Sequence, residues 1–141
     1  MIWKQPVNLE LLAQVSQRTL AENLGIEYTG YGDDYLEGRM PVDHRTKQPM
    51  GLLHGGASVA LAETLGSIAS LLCLEDTNTL TPVGVEINAN HINSATGGYV
   101  YGTVRPLKVG RRLHVWNIEI KDENDKLICV SRLTIAVVER R

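Results

Sequence analysis

Residues 48–74, QPMGLLHGGASVALAETLGSIASLLCL, constrain this chain more than any other stretch. A Gly-rich turn runs into a long apolar helix that carries a single acid. With Leu61 at zero and 100° per residue, Leu65, Ile68 and Leu72 fall within about 40° of it, a narrow apolar stripe. The opposite face carries Gly56, Val59, Glu63, Gly66, Ser67 and Ser70. A helix with leucines on one side and small residues on the other is expected to be covered on both. An acid inside it is exposed, paired or functional. We read Glu63 as catalytic, with the remainder of the chain forming a pocket around it.

The flanking patterns define the other elements. Asn8 is placed to cap a helix over 9–15, with Glu10 in its first turn. The pattern continues weakly over 19–23 and stops at Gly25. Residues 26–31 and 35–41 read as strands joined by the turn residues 32–34. Between Pro41 and Pro49 the chain reads as loop or short 3₁₀ turn. The central helix is expected over 56–74, ended by 75–78. Four strands follow, over 82–93, 98–106, 113–121 and 127–138. Turns at 97–98, 109–110 and 123–125 suit an antiparallel meander. The order predicts an α+β fold, a curved antiparallel sheet of about six strands around one central helix, in a single domain over 1–141. The sheet then covers the leucine stripe, and the face bearing Glu63 points away from it. A second copy is the simplest cover, which places the pocket at a subunit interface.

Composition narrows the partners. The 141 residues suit one domain, and 14 basic against 16 acidic side chains contain no like-charge block. Nucleic acid and anionic membrane surfaces are therefore disfavoured. Cys73 and Cys129 lie in apolar runs without a CxxC or Cys/His cluster. They read as reduced core thiols, and no metal site is expected. The first ten residues lack a signal-like apolar run, and no segment is read as reaching transmembrane length. A soluble cytoplasmic protein is expected.

Three features converge on the central segment. His54-Gly55-Gly56 begins a helix, where free N–H groups and the positive dipole end can stabilise a carbonyl oxygen becoming negative. Glu63, further along, could attack a carbonyl or deprotonate water. Ser67, four residues on, could hydrogen-bond Glu63 or its water. Residues 56–60 form only a broken GxSxG, so no serine triad is expected. A thioester fits better, because a thiol of pKa near ~8.5 departs without strong acid assistance.

MPVDHRTKQPMGLLHGGASVALAETLGS, VGVEINANHINSA, the MIWK start and the terminal SRLTIAV carry a resemblance across nearly the whole chain. It resembles the hotdog-fold acyl-CoA thioesterases of the Glu type, in the branch serving menaquinone and enterobactin synthesis. The resemblance implies hydrolysis of acyl-CoA, aromatic acyl groups such as 1,4-dihydroxy-2-naphthoyl-CoA included. It also implies a homotetramer of two dimers with sites at the dimer interface, and no cofactor, CoA being part of the substrate. By position, Glu63 is the nucleophile or general base and the Gly55 N–H the oxyanion donor. Gln48 orients the acyl group or water, His54 sits beside the thioester, and Ser67 holds the hydrolytic water. Thr64, Gly84, His91, Asn93, Ser94, Lys108, Gly110, Arg111 and Arg112 match substrate- and CoA-binding positions. Thr64 stands where serine is expected, and Asn93 where a relative carries arginine.

Plainer readings stand beside these. His54 alone is a capping or core histidine. Ser67 alone is a packing serine, and Lys108, Arg111 and Arg112 alone form a solvated hairpin. His44 and His114 carry no functional expectation. The alternative functions are proofreading or broad-specificity thioester hydrolysis, hydration or dehydration of acyl thioesters, and non-catalytic acyl-CoA binding.

Overall fold

A computed structural model describes residues 1–141. Nine elements follow the expected order, one more than expected because the outer helical segment divides in two. The helices are α1 (Leu9–Val15), α2 (Leu20–Asn23) and α3 (Gly55–Leu72). The strands are β1 (Glu27–Tyr31), β2 (Leu36–Pro41), β3 (Leu80–His91), β4 (Tyr99–Val109), β5 (Leu113–Asp122) and β6 (Leu127–Glu139). Asn8 caps α1 by accepting from the Leu11 N–H at 3.1 Å. Arg18, at φ 61°, separates α1 from α2, and Gly25, at φ 73°, ends α2.

The six strands form one antiparallel sheet in the order β1-β2-β4-β5-β6-β3. The expected four-strand meander is corrected here. Of these four strands only β4, β5 and β6 are consecutive neighbours, while β3 crosses to the far edge and pairs with β6. The reason is α3. The chain leaves β2 through the helix, which carries it across the sheet, and β2 then pairs directly with β4.

Alternation in β5 is read correctly by the core: His114, Trp116, Ile118 and Ile120 are buried, and the residues between them are not. Helix α3 lies against the concave face with Leu61 and Leu65 fully buried. The paired glycines Gly38 and Gly102 make room for it: a Cβ at either would meet a Leu65 methyl at 2.8 or 2.9 Å.

The sheet wraps further round α3 than the angular argument implies. Gly66 and Ser70 were assigned to the uncovered face, yet both are buried against the sheet. A Cβ at Gly66 would run into a Leu133 methyl. Ser70 Oγ accepts from Trp116 Nε1 at 2.7 Å and hydrogen-bonds His114 Nδ1 at 2.9 Å. Small residues occupy this flank because the strands come closest there. The uncovered arc is narrower and centres on Ala60, Glu63, Thr64, Ser67 and Leu71.

One further expectation changes. Helix α3, 18 residues at mean hydropathy 1.3, is long and apolar enough to cross a membrane by length and composition. Half of that window is buried inside the protein. Its apolarity belongs to a core helix gripped by a sheet.

Candidate active site

The start of α3 is built from the HGG turn. His54 is the N-cap, and its Nδ1 accepts from the Gly56 N–H at 2.8 Å. Accepting there puts the neutral ring's proton on Nε2. The Ala57 and Ser58 N–H groups donate back to the His54 carbonyl. The Gly55 N–H donates to nothing. It is the free donor of this terminus, and no acid stands in the first turn to offset the dipole. His91 lies directly over Gly55, its Nε2 2.7 Å from where a Cβ would stand, so a larger residue there would displace the imidazole.

Gln48 closes the preceding turn: its N–H donates to Leu52 at 2.8 Å and its side-chain oxygen accepts from the Met50 N–H. Gln48, Gly55, His91, Asn93 and Ser94 share a cavity of about 280 Å³. Asn93 also has a structural task, donating to the Leu127 carbonyl at 2.8 Å.

Glu63 faces a different cavity, of about 330 Å³, together with Thr64, Ser67 and Ile68. The opposite wall comes from the α1–α2 segment and β1: Val15, Ser16, Thr19, Leu20, Ala21 and Tyr28. Glu63 is partly buried and has neither an ion pair nor a hydrogen bond, and Ser67 does not bond to it. One carboxylate oxygen stands over edge strand β3, 2.6 Å from where a Cβ on Gly84 would be. Gly84 lies at a register shift between β3 and β6, a bulge that re-aims the strand at this point.

The predicted residues therefore fall into two groups within one chain. At 1.5 Å rise per residue, Gly55 and Glu63 stand about 12 Å apart along α3. Lys108, Arg111 and Arg112 project into solvent from the β4–β5 hairpin, whose Gly110 N–H bonds the Leu113 carbonyl at 2.9 Å. They line neither cavity. A cavity of about 560 Å³ is an open charged groove on the outer face of β2, β4 and β5, and Glu63 does not line it.

Sequence reasoning missed Ser16, Thr19 and Tyr28. The available signal was the alternation of β1, which turns Tyr28 inward between exposed Glu27 and Thr29. Burial pushes the Tyr28 phenol above its ordinary pKa, partly offset by its hydrogen bond to Ser16.

An antiparallel sheet wrapped round one helix, with a glycine turn at the helix start and a free carboxylate along it, is the hotdog architecture of thioester hydrolases. The profile of the thioesterase superfamily matches residues 50–129, and the chain belongs to that superfamily. It is 52% identical to 1,4-dihydroxy-2-naphthoyl-CoA hydrolase of Escherichia coli, over 98% of this chain and 100% of that one. It is 53% identical to the proofreading thioesterase EntH of Cronobacter turicensis, over 98% of this chain and 99% of that one. The crystal structure of a Haemophilus influenzae thioesterase superposes with a TM-score of 0.95 at 50% identity, covering 99% of this chain and 96% of that one.

Proposed function

We propose that the chain, as one thioesterase domain over residues 1–141, hydrolyses acyl-CoA thioesters to free acid and CoA. The favoured acyl group is aromatic, as in the substrate for which the Escherichia coli relative is named. The setting is then menaquinone synthesis in the cytoplasm. The observation that carries this reading is an unpaired carboxylate and an unpaired backbone N–H on one helix, each facing its own cavity.

Glu63 attacks the thioester carbonyl carbon, or removes a proton from the water that attacks it. In the first route a C–O bond to Glu63 forms, the C–S bond breaks and CoA leaves as thiolate. Water then cleaves the anhydride and restores the carboxylate. The Gly55 N–H receives the carbonyl oxygen as it becomes negative. Gln48 orients the acyl group or water, His54 sits beside the thioester, and Ser67 holds the hydrolytic water. Thr64, Gly84, His91, Asn93 and Ser94 contact the substrate, and Lys108, Arg111 and Arg112 around Gly110 meet the CoA phosphates. Water is the only co-reactant, so no cofactor is required.

The separation of about 12 Å along α3 supports a site shared by two copies, Glu63 from one and Gly55 from the other. Strand β3 supports it too, as an edge strand exposing Val83 and Val85. The assembly in this reading is a homotetramer, a dimer of dimers. The similarity to EntH favours a second reading, proofreading of acyl thioesters on a carrier protein.

The test is a thiol-release screen over aryl-, enoyl- and fatty acyl-CoAs and an aryl carrier protein. Aromatic acyl-CoA is expected to be turned over fastest. Glu63→Gln is expected to cut kcat by about 10²–10⁴-fold with the fold intact by circular dichroism. Wild-type-like turnover in that variant would overturn the assignment.

A further inference from the structure

Opposite Glu63, the cavity ends on two hydroxyls. Ser16 caps the C-terminus of α1, and its Oγ lies 3.1 Å from the Tyr28 hydroxyl on β1. Neither hydroxyl makes any other hydrogen bond. Two hydroxyl groups carry two protons, and one shared bond uses one of them, so one O–H and several lone pairs remain unclaimed. Thr19 offers nothing comparable, since its hydroxyl already donates to the Ser16 carbonyl at 2.5 Å. Between this pair and Glu63 the walls are largely apolar, with Val15, Leu20 and Ile68 among them.

The pair also divides two spaces. Ser16 and Tyr28 line the Glu63 cavity on one side and a second cavity of about 460 Å³ on the other. Arg18 and Glu22 belong to that second space alone. The Ser16–Tyr28 pair thus stands between the two spaces with unused hydrogen-bonding capacity.

We propose that the Ser16–Tyr28 pair is the end wall of the acyl site, binding a ring hydroxyl of a hydroxylated aromatic acyl group and blocking longer acyl chains. This rests on Glu63 being the group at the thioester. An aromatic ring held between Val15, Leu20 and Ile68 extends its far edge to the pair. A ring hydroxyl there accepts the free O–H and donates to a free lone pair. A ring lacking it covers the remaining O–H and leaves it without a partner, which is how such sites discriminate. The Tyr28 phenol, ordinarily protonated at neutral pH and pushed further that way by burial, is able to donate. A linear chain longer than the cavity meets this end wall and stops.

The test uses the full chain and three substrates: a hydroxylated aryl-CoA, the same aryl-CoA without hydroxyls, and decanoyl-CoA. Tyr28→Phe and Ser16→Ala should each lower the hydroxylated-to-unsubstituted ratio of kcat/KM by about 10-fold. Tyr28→Ala should open the end wall and raise kcat/KM for decanoyl-CoA relative to the aryl-CoAs by a similar factor. An unchanged ratio in both hydroxyl variants, with wild type active and Glu63→Gln inactive, overturns the pair's role alone. Wild type inactive on every thioester overturns the thioesterase reading and this one with it. If Tyr28→Ala fails to fold, the two hydroxyl variants still decide the matter.

Discussion

Glu63 shows what a single position in this chain can and cannot declare. Its helix and its acidity are visible in the sequence, while its neighbour Gly84 is not, being 21 residues away on a bulged edge strand. The contact makes a sharp prediction. A methyl at Gly84 would stand 2.6 Å from the Glu63 carboxylate oxygen and no other group within 4 Å except that carboxyl's own carbon. The side chain, being flexible, swings aside. Gly84→Ala is therefore expected to leave the melting temperature nearly unchanged while lowering kcat by about 10-fold or more, as misplaced catalytic groups do. Equal loss of stability and activity would show that Gly84 serves the fold instead. His54 teaches the opposite lesson. The plain reading of it as a cap holds, and by capping Gly56 it leaves the neighbouring Gly55 N–H free.

Helix α3 and strand β5 meet through the chain Trp116–Ser70–His114. Ser70 Oγ accepts from Trp116 Nε1 and shares a hydrogen bond with the buried His114 Nδ1. Burial disfavours the charged ring and holds His114 below its ordinary pKa of 6.5. The unfolded chain takes up a proton below about pH 6.5 where the folded one does not, so this contribution is full above that pH and falls as pH drops toward the folded pKa. Denaturant titrations from pH 7.5 to 5 should show stability declining in the acid half, and His114→Gln should flatten that slope. Asp43 acts in a lower window. Its hydrogen bonds from Arg45 hold its carboxyl near pH 2 against an ordinary 3.8, so its contribution is lost only as pH falls below about 4. The same element corrects the helical-wheel reading: Ser70 lies on the buried flank because two polar rings of β5 needed a partner there.

At the scale of the molecule, the unpaired outer edge of β3 is the feature that requires explanation. It carries exposed Val83 and Val85 beside Gly84 and the carboxylate beneath it. Paired copies would bury that edge and bring two α3 helices together. Light scattering is expected to return four times the 15.6 kDa chain mass, and a charge at Val85 (Val85→Lys) should shift it downward with loss of activity. A fully active monomer would refute the shared site.

Apart from the break at Arg18 that makes α2 a separate helix, periodicity and turn chemistry were enough to read the six strands, the outer helix, the helix at the centre and the acid on its open side. These are local properties: spacing alone says which face of a helix or strand is apolar and where the backbone turns. The path of β3 to the far edge, the separation of the glycine turn from Glu63 and the hydroxyl wall at Ser16 and Tyr28 were not legible in that way. Each depends on residues far apart in the chain, and their meeting is set by how one sheet closes around one helix, with paired glycines and bulges deciding how closely it does so.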